Sequence, residues 1–233
     1  MNLVDHTLAC IDRALRAESK LTPAVLSVPG FCKAATRHLV NNLCDFPDVN
    51  YLEVGVFKGA TLFAAAYRNQ GTFTGVDNFW FERMSQNRDP RQAFRAAKRR
   101  LARSCHVHLV EADSWALDPG RLPPGVDVYF YDGGHSYQDQ YQAFTHYDAV
   151  LARRFVTLVD DWNWERVRKG TRDAFRELGY EVLLKRELRN RSAVRGAWGN
   201  GLLVAVVDRG RRSPRKAAAR RASARARGSA QAR

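Results

Sequence analysis

Apolar residues recur at two different periods along this chain. Val4, Leu8, Ile11 and Leu15 fall three or four residues apart, the spacing of one helix face. Pro23, Pro29 and Gly30 break that pattern. A second helix is predicted over about 31–43, ending before Asp45, Phe46 and Pro47. From Asn50 onward short apolar runs alternate with helical stretches. The runs predict strands over 51–56, 72–76, 107–111, 126–131, 155–159, 181–184 and 202–207. The stretches between them predict helices over 60–67, 92–103, 137–151 and 170–178. This alternation implies an α/β fold with a doubly wound, mostly parallel seven-stranded sheet, whose last two strands form an antiparallel hairpin pair. The first five strands read as largely apolar runs, as strands covered on both faces should. The link 185–201 is charged and rich in Arg and Asn, and reads as a surface loop at one sheet edge. Three segments follow: a helical cap over 1–46, the sheet domain over 47–208 and a tail over 209–233.

Charge changes the picture only at the end of the chain. The formal net charge is +14, from 38 Lys and Arg against 24 Asp and Glu. Ten of the basic residues and none of the acidic ones lie in 209–233, which leaves the body near +4. The tail has no aliphatic residue larger than Ala and no aromatic ring, so it cannot bury enough apolar surface to offset the entropy of ordering. It is expected to be a disordered basic extension with at most a weak polyanion contact, since no aromatics interleave to stack bases. The body, at 45% hydrophobic residues for the whole chain, can form a core. No apolar run approaches the roughly 18 residues of a membrane span. The first twenty residues carry Asp5, Asp12 and Glu18 and lack the apolar centre of a secretory signal. Cys10, Cys32, Cys44 and Cys105 are scattered, with no CxxC pair, which suits a reducing cytoplasm better than a disulfide or zinc framework.

In doubly wound sheets ligands bind beyond the carboxyl ends of the strands, where strand order reverses. The residues after the predicted strands are unusually polar. The first strand leads into Glu53, Gly55 and Gly59, an ExGxxxG pattern that lacks one glycine of the dinucleotide motif GxGxxG. Gly55 permits close approach of backbone to a ligand, and Gly59 opens a helix with free N–H groups. The second strand ends at Asp77, 22 residues after Gly55, where an acid can accept hydrogen bonds from both hydroxyls of a ribose. Asp113, Ser114 and Trp115 follow the third strand. They are either a polar and aromatic seat for a base or a helix cap with a core residue.

The fourth strand ends in Asp132, Gly133, Gly134, His135, Ser136 and Tyr137, and the fifth in Asp160, Asp161, Trp162, Asn163 and Trp164. One crossover helix between them would set these ends side by side. Asp132, Asp160 and Asp161 would then converge and repel, a conflict that a hard divalent cation such as Mg²⁺, Ca²⁺ or Mn²⁺ removes. Alternatively the set is split, with Asp132 holding cofactor or loop backbone, Asp160 capping and Asp161 paired with an Arg. His135, at the mouth of the same crevice, is of a type that titrates in the neutral range and suits a general base. Trp162 and Trp164 either wall an acceptor ring or cover the sheet end.

Taken together, ExGxxxG, the acid after the second strand, DGxHxY and the DD pair make residues 50–208 resemble a class I S-adenosylmethionine (SAM) methyltransferase, which has a Rossmann-like fold. The last two motifs are similar to those of metal-dependent small-molecule O-methyltransferases of the macrocin type, which act on sugar hydroxyls. The resemblance implies SAM contacts from Glu53, Gly55, Gly59, Asp77, Asp113 and Ser114. It also implies Mg²⁺ or Mn²⁺ on Asp132, Asp160 and Asp161, and Asp132 and His135 as catalytic groups acting on a small-molecule acceptor. One departure stands out: where that group commonly carries a second acid, reading DGD, this chain has Gly134. His135 is then the nearest base. Two rival readings are a nucleic-acid methyltransferase, using the tail and Arg95, Lys98, Arg99, Arg100 and Arg103, and a non-catalytic SAM-fold binding protein. Against the first, no D/NPPY/F motif and no Pro-Cys pair occurs.

Overall fold

The computed structural model describes residues 2–80, 89–189 and 197–210. The chain begins with three helices, α1 (Leu3–Leu15), α2 (Pro23–Leu26) and α3 (Ala34–Leu43). Then come β1 (Val49–Val54), α4 (Ala60–Ala66), β2 (Gly71–Asp77), α5 (Pro90–Leu101), β3 (His108–Glu111) and β4 (Val126–Tyr131). The last elements are α6 (Tyr137–Thr145), β5 (Leu151–Val159), α7 (Glu165–Leu178), β6 (Glu181–Leu188) and β7 (Leu202–Asp208). The described strands make one seven-stranded sheet in the order β3-β2-β1-β4-β5-β7-β6. β1 pairs in parallel with β2 and β4, β2 with β3, and β4 with β5, while β7 runs antiparallel to β5 and β6. This is the expected Rossmann-like sheet, and it reverses strand order between β1 and β4.

Side chains along a central strand alternate between two cores. Tyr51 points into a cluster with Phe63, Phe73, Leu39 and Ile11, whereas Leu52 and Val54 point into one with Tyr129, Phe144 and Tyr147. Burying each of these large side chains contributes about 2–3 kcal/mol. Because Ile11 and Leu39 belong to the first cluster, α1 and α3 lie on the sheet face rather than over the crevice, where the sequence suggested a cap. Only residues 30–36 reach the crevice. They are fastened from below by Arg37, whose side chain is 7% exposed and donates to the carbonyls of Leu26, Val28 and Cys32 and to Cys32 Sγ. Asn41, also buried, donates to the Ala64 and Tyr67 carbonyls and so satisfies the end of α4.

Several element bounds differ from expectation for physical reasons. The helix expected over 137–151 stops at Thr145, and a 3₁₀ turn, Tyr147–Val150, buries Tyr147 and Val150 before β5 starts. α7 begins at Glu165, five residues early, because Val167, Gly170, Thr171, Ala174 and Phe175 make one buried stripe under a charged surface. β6 runs on to Leu188, so the charged link expected to be a loop is in part an edge strand, where outward charges are tolerated and block further pairing. β3, at the other edge, is half exposed rather than buried on both faces. Residues 190–196 of the link, and the tail from residue 211, lie outside the described residues. Arg209 does not belong with the tail: its side chain is 8% exposed and pairs with Asp148 at 3.0 Å. The four cysteines are free thiols. No described helix is long and apolar enough to cross a membrane.

Candidate active site

A cavity of about 820 Å³ opens beyond the carboxyl ends of β1, β2 and β4, at the reversal of strand order. Of the ten residues expected at a site, all but Glu53 and Gly59 line it. Glu53 lies beneath, 0% exposed, accepting from Tyr51 Oη at 2.5 Å and Thr61 Oγ1 at 2.6 Å. Burial pushes its carboxyl up to about 8, against the pull of those two hydrogen bonds. Gly59 has φ +87° and starts α4; a Cβ there would meet Phe63 at 2.6 Å and Phe94 at 2.8 Å. Gly55 has φ +93°, and a Cβ there would sit 2.1 Å from the Asp132 carbonyl oxygen. The backbones after β1 and β4 are thus in contact, and only glycine allows it.

Asp77 fixes the loop after β1. Its Oδ2 accepts from the amides of Val56 and Phe57, both at 2.7 Å, and its Oδ1 from Phe79 N at 2.6 Å. A carboxylate oxygen has room for two donors, so Oδ1 keeps one acceptor site for a ligand. Asp113 caps the turn after β3, with Oδ1 accepting from Trp115 N and Ala116 N at 2.8 and 3.1 Å. Ser114 gives its carbonyl to Tyr147 Oη at 2.9 Å. Trp115 packs on Tyr131, with ring centroids 6.3 Å apart.

The three aspartates at the other end do not form one set. Asp132 and Asp160 share a hydrogen bond, and desolvation holds Asp132 far above the usual carboxylate range and Asp160 at about 6. A shared proton therefore relieves their repulsion: protonated Asp132 donates to Asp160. Asp161, at φ +54°, turns away. Its Oδ2 meets His135 Nε2 at 3.0 Å, and its Oδ1 accepts from Asn200 Nδ2 at 2.8 Å. Among the described residues no three His, Cys, Asp or Glu side chains are arranged to hold a metal ion. The metal set expected from the sequence does not fit this arrangement, because Asp161 belongs to His135.

His135, partly exposed to the cavity, has further contacts besides Asp161. Trp164 meets its ring edge-on at 5.1 Å, and Arg166 Nε donates to its carbonyl at 2.9 Å. The turn carrying it is set by α6, where Ser136 and Asp139 form a reciprocal capping box. An acid at Gly134 would need Asp139 to move: a Cβ there would lie 2.4 Å from Asp139 Oδ2, and Asp139 itself lines the cavity. Trp162 is no acceptor wall; it is 1% exposed, in the core beside Tyr131 and Val159. The basic cluster on and just after α5 does not line the cavity.

Sequence reading missed the residues that long-range folding brings in. Asn200 falls in the link that reads as a surface loop, yet it lines the cavity and donates to Asp161. Cys32, Lys33 and Thr36 line it from the N-terminal segment. No local signal marked any of them, although a polar Thr beside a helix start facing the crevice end of β1 was available once α3 was known to precede β1.

Residues 52–162 match the family described as a methyltransferase domain. No curated protein matches the chain. Among solved structures, a Corynebacterium glutamicum protein is 14% identical at a TM-score of 0.55, covering 89% of this chain and 99% of its own. TrmN from Thermus thermophilus is 15% identical at a TM-score of 0.53, covering 80% of this chain and 51% of its own, so this chain spans about half of TrmN. An O-methyltransferase from Bacillus cereus in complex with S-adenosylhomocysteine (SAH) is 13% identical at 0.50, covering 89% and 91%. At these identities the likeness is one of fold. The comparisons thus liken residues 52–162 to a methyltransferase domain, and the fold of the chain to solved structures that include an O-methyltransferase.

Proposed function

We propose that this protein methylates a hydroxyl group of a small molecule with SAM as donor. One observation carries the reading: a His–Asp pair, His135 with Asp161 at 3.0 Å, stands in the same cavity as the glycine loop and Asp77. When bound, SAM supplies a methyl group already activated on a positive sulfonium. The fit to that cofactor rests on the close backbone approach at Gly55, the spare acceptor site on Asp77 and the acidic, partly apolar cavity.

The chain's task is then to hold the acceptor in line and remove one proton. With Nε2–H donating to Asp161, the imidazole keeps its lone pair on Nδ1, which would take the proton of the acceptor hydroxyl as its oxygen bonds to the methyl carbon and the carbon–sulfur bond breaks, its electron pair staying on the departing thioether. Asp161 stabilises the imidazolium that forms, and Asn200 keeps Asp161 in place. Asp132 and Asp160, at the cavity floor, offer negative charge to a cationic ligand. No step runs through a metal, since Asp161 is committed to His135.

The test is calorimetry with SAH followed by SAM turnover on a panel of hydroxyl-bearing compounds, catechols and sugars included. His135→Ala should lower turnover about 10²-fold or more and leave SAH affinity unchanged. Binding of NADH with no binding of SAM or SAH would overturn the assignment.

A further inference from the structure

The start of α3 faces the cavity, and among the described residues no side chain caps it. α3 precedes β1 through a short connection, so its last turn lies at the foot of the sheet and its first turn at the crevice. The N-cap is Lys33, which makes no side-chain cap bond, and the first amides of a helix have no partner within it. Lys33 and Thr36 both line the cavity. Lys33 forms no ion pair among the described residues. Thr36 is 4% exposed, and its hydroxyl has no hydrogen-bond partner among the described residues. A hydroxyl on the cavity wall without a protein partner among the described residues is free to donate to a ligand there. Among the described residues, Lys33 and Lys58 are the only Lys or Arg residues lining a cavity that also has six aspartates.

From this we infer an oxyanion subsite, made by the α3 N-terminus, the Lys33 ammonium and the Thr36 hydroxyl, that takes a carboxylate or phosphate group of the acceptor. The acceptor is therefore an anionic hydroxy compound, such as a hydroxy acid or a phosphate ester, rather than a neutral sugar. Its position favours the acceptor over the cofactor. A Cβ at Gly199 would lie 3.9 Å from Lys33 Cγ, and the next residue, Asn200, holds Asp161 against His135. Lys33 thus stands on the side of the base, away from Asp113. The positive end of the helix dipole and the ammonium attract the anion, and Thr36 adds a directed donor. The aspartates of the cavity repel the same group, and this corner sets a lysine and a directed hydroxyl against them.

The inference rests on the methyltransferase reading, and the experiment separates the two. The protein saturated with SAH is titrated with inorganic phosphate and with benzoate, against chloride at equal ionic strength, by thermal shift. Phosphate and benzoate should stabilise it saturably where chloride does not. Lys33→Ala should raise the half-saturating concentration on the order of tenfold, and Thr36→Val by roughly threefold. Equal response to chloride, or variants that titrate as the wild type does, would overturn the subsite. A second arm compares SAH with 5′-methylthioadenosine, which lacks the amino-acid carboxylate. If Lys33→Ala weakens SAH but not 5′-methylthioadenosine, the subsite holds the cofactor's carboxylate and the acceptor inference is wrong. Failure of SAH to bind the wild type at all would overturn both readings.

Discussion

Glu53 stores a pH dependence that can be measured without knowing the acceptor. Its carboxyl is 0% exposed beneath the glycine loop, and burial raises it from the usual carboxylate range to about 8. Unfolded, the same group titrates near 4.3. Between these values the folded chain holds a proton that the unfolded chain has released, so stability is full below about pH 4 and falls as pH rises toward 8. Within that window the slope is about −1.4 kcal/mol per pH unit, and across pH 5 to 8 the loss is on the order of 4 kcal/mol. Glu53→Gln removes the proton and keeps the shape. Its amide oxygen accepts from Thr61, and its NH₂ takes the place of the oxygen facing Tyr51, whose hydroxyl turns to accept where it donates in the wild type. Urea unfolding of both proteins at several pH values, taken as a difference, cancels the other groups. The variant should match the wild type near pH 5 and exceed it by roughly 3–4 kcal/mol near pH 8. A difference that stays flat over this range would refute a buried, neutral Glu53. Because Glu53 does not line the cavity, SAH affinity at pH 7 should stay within about threefold, or 0.65 kcal/mol.

Other outcomes follow from single contacts. Asp77→Ala releases three backbone amides and removes the spare acceptor, so SAH affinity should fall by tenfold or more in calorimetry, on the order of 1.4 kcal/mol or above. Asn200→Ala should lower turnover several-fold without changing SAH affinity, and an unchanged rate would remove Asn200 from the positioning of Asp161. Millimolar Mg²⁺ or Mn²⁺ should leave the melting temperature where EDTA leaves it; a saturable rise that disappears in Asp160→Asn would restore a metal to the carboxylates. A chain ending at Gly210 should melt within a few degrees of full length, whereas Arg209→Ala, which removes the ion pair to Asp148 and leaves Asp148 with Tyr180, should cost about 1–3 kcal/mol in urea unfolding.

The sequence by itself determined the layered fold and most of the strands. Doubly buried strands must be continuous apolar runs, so 126–131 was legible to the residue, as were the turn glycines and the acids that follow each strand. Those acids and His135 could also be placed at one end of the sheet, because strand ends converge in any parallel sheet. What sequence could not decide was which side chain pairs with which. Asp160 and Asp161 are neighbours in the chain, yet the left-handed backbone at Asp161 sends one to Asp132 and the other to His135. That choice depends on Asn200, 39 residues away, whose turn is pinned to the residues after β5 by backbone bonds from Trp162 and Asn163. Glu53 matched a binding motif by position, and only the pleat of β1, which points it at Tyr51 and Thr61, shows it as a buried support. The α3 start carries no motif at all. Its chemistry exists because the order of α3 before β1 turns an ordinary Lys-Ala-Ala-Thr stretch toward the crevice, and direction relative to a sheet is a property of tertiary structure alone.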